Sequence, residues 1–157
     1  MRSQGGFTFI ELVMTAAILG ILAAAAMPLL ELTIQRNKEQ ELRIALRQIR
    51  EGIDAYKRAV DEGKIAKQVD ESGYPKRLED LAAGVEDVKD ANRKKIYFLR
   101  RLPADPMFSG NASSAAATWG KRSYESGPDD PREGREVFDV YSLNKGKGLN
   151  GIPYNQW

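Results

Sequence analysis

Residues 7–30 read FTFIELVMTAAILGILAAAAMPLL, and Glu11 is the single ionisable residue among them. As a helix rising about 1.5 Å per residue, this segment would be roughly 36 Å long, which is enough to cross the hydrocarbon layer of a bilayer. Lipid offers no partners to backbone N–H and C=O groups, so the segment must satisfy them internally. We therefore predict a membrane-spanning helix over residues 7–30.

The short polar stretch MRSQGG at residues 1–6 leaves three interpretations of this helix. It is a secretory signal peptide cut near residues 23–26, an ordinary single-span anchor, or a helix retained after a leader is cut off behind Gly6. The positive charge of Arg2 agrees with a cytoplasmic leader.

Glu11 distinguishes these interpretations, because a carboxylate costs roughly 2.5–3.5 kcal/mol at the centre of a spanning helix and less near its end. A signal peptide or a simple anchor has no use for it. Where such helices bundle, Glu11 can face the α-amino group that cleavage creates on Phe7 of a neighbouring copy, next to the positive end of the helix dipole. The alternative is that Glu11 lies near the membrane surface and extends to water or stays protonated.

After Pro28 the pattern becomes amphipathic and predicts that the helix continues in water to about Asp61, before Gly63 ends it. Such a helix would be roughly 80 Å long. Too few residues remain to wrap its first half, so lipid or further copies of the chain must cover that half. The apolar stripe consists of Leu42, Leu46, Ile49, Ile53, Tyr56 and Val60, and the opposite face holds Arg43, Arg47, Arg50, Glu51, Asp54, Lys57 and Arg58.

Composition excludes several classes of function. The 157 residues carry a formal net charge of +2 with acids and bases interleaved, which does not provide a basic surface for nucleic acid. The chain contains no histidine and no cysteine, so it lacks His general bases, Cys nucleophiles, ordinary zinc sites and disulfides. No spacing of the remaining carboxylates, lysines or hydroxyls indicates catalysis, and we predict that the chain is not an enzyme.

Residues 5–12, GGFTFIEL, resemble the cleavage and methylation motif of type IV pilins and pseudopilins. The resemblance implies that a prepilin peptidase cuts after Gly6, that the new N-terminal Phe7 is N-methylated, and that Glu11 serves assembly. Family members often carry a proline at the depth of Pro28, which removes one helix hydrogen bond and kinks the helix. That kink is either a flexible point used in assembly or a simple bend at the membrane exit.

The C-terminal part carries strand signals. We predict that Arg122–Ser126 and Glu136–Leu143 pair as antiparallel strands across the turn-rich residues 127–131. Phe138, Val140 and Ser142 would form one side of the second strand, and which side faces the helix stays open. The glycine-rich residues 145–157 are expected to fold back over the domain through Tyr154 and Trp157.

This half resembles the major pseudopilin family of the type II secretion system, also called the general secretion pathway protein G family. The shared features, in order, are FLRRLPADP at 98–106, Trp119-Gly120, FDVYS at 138–142 and a terminal Trp. The implied fold class is α+β and type IV pilin-like, with one long N-terminal helix packed on a small antiparallel sheet with a loop-rich insert. Its segments are a leader (1–6), a transmembrane and polymerisation helix (7–30), an amphipathic continuation (31–62) and a periplasmic globular part (63–157).

The family usually holds Ca²⁺ in the loop that follows this strand. Here that loop, residues 143–151, reads LNKGKGLNG and has no carboxylate, so only Asp139 and Ser142 stand as weak candidates and we expect no cofactor. We hypothesise that Lys145 or Lys147 takes the place of the cation and pairs with Asp129 or Asp130.

The resemblance implies a structural subunit that is cleaved, N-methylated and polymerised into the periplasmic pseudopilus of a type II secretion system, supporting protein export. Its implied partners are further copies in a helical filament, minor pseudopilins, the prepilin peptidase, and the inner-membrane assembly platform with its ATPase. The implied location is the inner membrane, crossed once, with the globular part in the periplasm. The alternatives are a type IV pilin of a surface filament and, from another class, a membrane-tethered periplasmic binding module or enzyme.

Overall fold

The computed structural model describes residue 6 and residues 8–157, apart from the side chains at positions 25, 26 and 28. One long helix, α1 (Phe9–Asp61), is followed by a short helix and two small sheets, so the predicted α+β, pilin-like fold class is confirmed. The other elements are α2 (Asp80–Ala83), β1 (Val85–Glu86), β2 (Lys95–Ile96), a 3-10 turn (Ala115–Thr118), β3 (Trp119–Arg122), β4 (Asp139–Ser142) and a second 3-10 turn (Tyr154–Gln156). The pairs β1–β2 and β3–β4 are antiparallel.

The chain divides into two compact units, Met1–Asn37 and Lys38–Trp157. The first unit contains the apolar part of α1, whose described large side chains are exposed within the chain. Its hydroxyls are satisfied locally, since Thr15 donates to the Leu12 carbonyl at 2.9 Å and Thr33 to the Leu29 carbonyl at 3.0 Å. Such back-bonding lets a threonine lie in an apolar helix without water. Position 28 lies inside α1, and the predicted kink at Pro28 stays a prediction.

The second unit is built on the aqueous part of α1, and its core confirms the predicted stripe. Five stripe residues are at most 5% exposed, and Tyr56 is partly buried against the same core. Burial of one such aliphatic side chain contributes about 1.5–3 kcal/mol. The buried core residues of this unit are Leu42, Ala45, Leu46, Ile49, Ile53, Ala59, Val60, Ile65, Leu78, Leu81, Ala116, Trp119, Val137, Val140 and Tyr154.

The end of α1 confirms the predicted glycine stop. Gly63 has a φ of 72°, and its N–H donates to the Val60 carbonyl at 2.8 Å. The Lys64 N–H donates to the Ala59 carbonyl at 2.9 Å. These two bonds form a Schellman motif, which satisfies carbonyls that the last helical turn would otherwise leave unpaired.

The predicted pairing of two C-terminal strands is confirmed, but the first of them was placed wrongly. The partner of β4 is Trp119–Arg122, not Arg122–Ser126, with Trp119 opposite Ser142 and Arg122 opposite Asp139. The strand starts earlier because the Trp119 indole is buried and donates to the Pro103 carbonyl at 2.8 Å. It ends at Arg122 because the Ser123 N–H turns to the Arg132 carbonyl instead.

The sheet also settles which side of β4 faces the core. Val140 and Ser142 are fully buried, whereas Asp139 and Tyr141 are intermediate. Val137 is also buried, although alternation would place it on the side of Asp139 and Tyr141. It lies before β4, where the alternation of the strand does not apply, and its N–H donates to the Pro75 carbonyl at 2.8 Å. The Tyr141 ring covers Gly120 directly across the sheet, where a Cβ would lie 2.3 Å from the ring. Only glycine leaves room for it there.

A glycine inside α1 has a packing reason. A Cβ on Gly52 would lie 3.2 Å from Leu99 Cγ and 3.6 Å from Leu81 Cδ1. The roughly 1 kcal/mol that glycine costs in a helix interior is therefore offset by the close approach of the segment around Leu99.

Gly52→Val is expected to lower the free energy of unfolding of the detergent-solubilised chain by about 1–3 kcal/mol, because the added Cβ and its two methyl groups overpack this contact. Urea unfolding followed by circular dichroism measures the change. Gln48→Val places the same side chain at an exposed site on the same helix and should stay within about 0.5 kcal/mol of the unchanged chain. Equal effects of the two substitutions would contradict the packing argument.

Candidate functional site

The N-terminus of α1 is closed by a reciprocal pair of hydrogen bonds. The Glu11 N–H donates to Thr8 Oγ1 at 3.3 Å, and the Thr8 N–H donates to Glu11 Oε2 at 3.5 Å. With Thr8 preceding the first helical residue, this is the capping box that the spacing Thr-x-x-Glu produces. The sequence prediction missed this local role of Glu11, although the spacing that signals it is readable in the sequence.

The cap leaves Glu11 able to act between copies. A carboxylate has two oxygens and about four acceptor positions, and the cap uses one position. Glu11 is exposed within the chain and lies in the first helical turn, where the helix dipole favours a negative charge. Gly6 is exposed too, whereas Phe7 lies outside the described residues. The predicted cleavage, methylation and assembly roles of Gly6, Phe7 and Glu11 therefore stay predictions.

Beyond the cap, α1 presents a large apolar surface. Phe9 is 81% exposed, Ile21 71% and Met27 73%. An 18-residue window of this helix has a mean hydropathy of 2.2, and none of the window is buried by the rest of the described chain. By length and composition, α1 is able to cross a membrane. A monomeric soluble protein rarely exposes an apolar surface of this extent.

In the second unit, Asp105 joins the turn after Pro103 to the end of β4. Asp105 is 5% exposed, and its carboxylate accepts from Ser142 Oγ at 2.6 Å and from the Met107 N–H at 2.7 Å. The Asp105 N–H donates to Thr118 Oγ1 at 2.9 Å. In the sequence, Asp105 is visible only as part of the segment FLRRLPADP at 98–106. No local pattern indicates a bond to a residue 37 positions away.

The two weak calcium candidates are engaged by other groups. Asp139 Oδ1 accepts from Arg50 Nε at 2.8 Å, and Asp139 Oδ2 accepts from Arg122 Nη2 at 3.2 Å. Ser142 donates its hydroxyl proton to Asp105 and accepts from the Asn144 N–H at 3.2 Å. Two guanidinium groups thus occupy the carboxylate that a calcium ion would need.

The donor set of the following loop does not fit calcium, which takes six to eight oxygen ligands. Asn144 Oδ1 accepts from the Gly146 N–H at 2.7 Å, and Asn150 Oδ1 accepts from the Ile152 N–H at 3.0 Å. Across the part of the chain that the structure describes, no group of three or more acidic side chains lies together as a metal site. In the described part of the chain neither Lys145 nor Lys147 forms an ion pair with Asp129 or Asp130, and Asp130 pairs with Arg132, so the hypothesised lysine pairing is wrong.

Comparison with known proteins bears on both units. Residues 1–27 match the family described as the prokaryotic N-terminal methylation motif. The chain is 30% identical over 146 residues to the type II secretion system core protein G of Pseudomonas aeruginosa, covering 90% of this chain and 84% of the relative. It is 29% identical over 146 residues to the protein of the same name from Vibrio cholerae, with 91% and 82% covered.

A third relative of that name, from Klebsiella pneumoniae, is 26% identical over 150 residues and is matched over 99% of its length. No solved structure gives a significant match. The match to the Pseudomonas aeruginosa relative covers 90% of this chain, so the similarity extends well beyond the N-terminal motif at residues 1–27. The chain belongs to the type II secretion system core protein G family.

Proposed function

We propose that this chain is a structural pseudopilin, a subunit that polymerises into the periplasmic pseudopilus of a type II secretion system and thereby supports protein export. One observation carries the proposal. The apolar part of α1 is exposed throughout its described length and carries a single acid at its capped N-terminus. In the membrane, lipid covers this surface. In a filament, the same surface is covered by the helices of neighbouring copies.

The remaining steps follow from the same proposal. A prepilin peptidase removes residues 1–6, the new amino group of Phe7 is methylated, and Glu11 of one copy pairs with the Phe7 amino group of a neighbour. The subunit crosses the inner membrane once, with its globular part in the periplasm. An assembly platform with its ATPase adds copies to the filament, which also contains minor pseudopilins. The subunit itself catalyses nothing, and its work is polymerisation.

The mass of the mature N-terminus tests this proposal. In cells that contain a prepilin peptidase, we expect the N-terminal peptide to begin at Phe7 and to carry one added methyl group. Gly6→Leu is the matched variant, because a bulky residue at the cleavage position should block removal of residues 1–6 while membrane insertion continues. Tandem mass spectrometry of the purified full chain distinguishes the outcomes. A mature chain that keeps Met1, or that starts near Met27, would overturn the proposal.

A further inference from the structure

The C-terminal tail, residues 143–157, is held to the domain by charged side chains of α1. The first of them is Arg50, whose guanidinium reaches three oxygens at once. Its Nε donates to Asp139 Oδ1 at 2.8 Å, and its Nη2 donates to the carbonyls of Val140 at 3.2 Å and Trp157 at 2.8 Å. The planar guanidinium fork, with its five N–H donors, suits donation to several acceptors at once. Arg50 thus joins β4 to the end of the tail. The helical pattern predicted only that Arg50 lies on the face opposite the apolar stripe.

The second charged group is Glu39, three turns earlier on the same side of α1. Glu39 is 6% exposed, and its carboxylate accepts from the Leu149 N–H at 2.8 Å and from the Tyr154 hydroxyl at 3.0 Å. Hydrogen bonds to an ionised acceptor are about twice as strong as neutral ones. Between the two anchors, the Arg43 guanidinium lies 4.4 Å from the centre of the Trp157 ring. Three charged residues of one helix therefore hold residues spread along most of the tail.

Arg50 occupies the position of a cation among oxygens. It brings one positive charge to a carboxylate and two main-chain oxygens, which are ligand types that a hard cation would use. The loop offers no carboxylate of its own, and its two asparagine side-chain oxygens already accept backbone N–H groups. A divalent ion that approached Asp139, whose side chain is 25% exposed, would be repelled by the guanidinium groups of Arg50 and Arg122 that already pair with it.

We propose that Arg50 and Glu39 lock the C-terminal tail in place of a bound metal ion, so that the folded tail of this protein is independent of calcium. The lock acts within one chain and does not depend on polymerisation. It separates the chain from the calcium-holding pattern that its family resemblance implies.

The test compares thermal unfolding of the purified full chain in detergent with excess EGTA and with millimolar CaCl₂. For the unchanged chain, we expect the two melting temperatures to agree within about 1 °C, since no bound ligand stabilises the folded state. A rise of several degrees with calcium would overturn the proposal. Exposed Lys145 and Lys147 supply a second readout, because a lysine-specific protease should cut there only when the tail opens.

Arg50→Gln is expected to lower the melting temperature by roughly 3–8 °C and to speed cleavage after Lys145 or Lys147 several-fold, in EGTA and in calcium alike. Arg47→Gln, an exposed neighbour on the same helix, is the matched control and should change neither readout. If both variants are cut at the same rate, the Arg50 contacts do not hold the tail and the proposal fails. Glu39→Ala provides an independent variant, should Arg50→Gln not fold, with the same faster cleavage expected.

Discussion

Replacing Glu11 with glutamine is expected to reduce filament yield by more than about tenfold while processing, membrane insertion and the helix cap are retained. Glutamine also completes a capping box, so the Thr8 contacts survive the substitution. Only the negative charge is lost, and with it the proposed pairing to the Phe7 amino group of a neighbour. Removing one partner of a desolvated charge pair costs about 2–5 kcal/mol at each contact, and a filament repeats that contact at every subunit.

Filament yield can be measured by shearing and sedimentation from cells that carry the assembly components, and contacts between copies by crosslinking in the membrane. Thr8→Val is the matched control. It removes the hydroxyl that accepts from the Glu11 N–H and costs about 1 kcal/mol of capping, yet it keeps the charge. If Thr8→Val stops assembly and Glu11→Gln does not, Glu11 acts through the cap and the intermolecular role is wrong. Mass analysis of both variants verifies that the leader has been removed.

Asp105→Ala is expected to have the largest effect on the stability of the globular unit, lowering the free energy of unfolding by about 3–5 kcal/mol. The substitution leaves the Met107 N–H and the Ser142 hydroxyl without their acceptor in a region where Ser142 is fully buried. Each lost bond to an ionised acceptor is worth about 1.5–3 kcal/mol. Thermal unfolding of the detergent-solubilised chain should shift down by roughly 10 °C.

Asp105→Asn is the matched control, because its amide oxygen still accepts from the Met107 N–H and its shape is nearly unchanged. We expect less than half the loss seen with alanine. A double-mutant cycle with Ser142→Ala isolates the bond between the two side chains, with an expected coupling of about 1–2 kcal/mol. Equal losses for the asparagine and alanine variants would show that these hydrogen bonds are not what joins the turn to β4.

Patterns of short period were predictable from the sequence. The stripe from Leu42 to Val60 follows the helical repeat, and burial confirms it residue by residue. The glycine stop at Gly63 was predictable for the same reason, since the backbone conformation it needs is local. The strand propensity of Glu136–Leu143 predicted a strand there, and β4 (Asp139–Ser142) lies within that range.

Contacts between distant positions were not predictable. The early start of β3 depends on the Trp119 indole reaching Pro103, and the lock of the tail depends on Arg50 reaching Asp139 and Trp157. Helical periodicity places Arg50 on the polar face, but it does not say which partner the fold brings to that face. Glu11 is the opposite case. Its capping contact with Thr8 is local, and the spacing that produces it is visible in the sequence.

The anchors of the tail bear on the order in which the molecule folds. Arg50 and Asp139 are 89 positions apart, and Glu39 and Tyr154 are 115 apart. Such loops are entropically costly to close and form late, whereas helical turns form within microseconds. During synthesis, the apolar part of α1 leaves the ribosome well before residues 139–157 have been synthesised. The part of the chain that follows α1 can therefore complete its fold only after residues 139–157 have been synthesised.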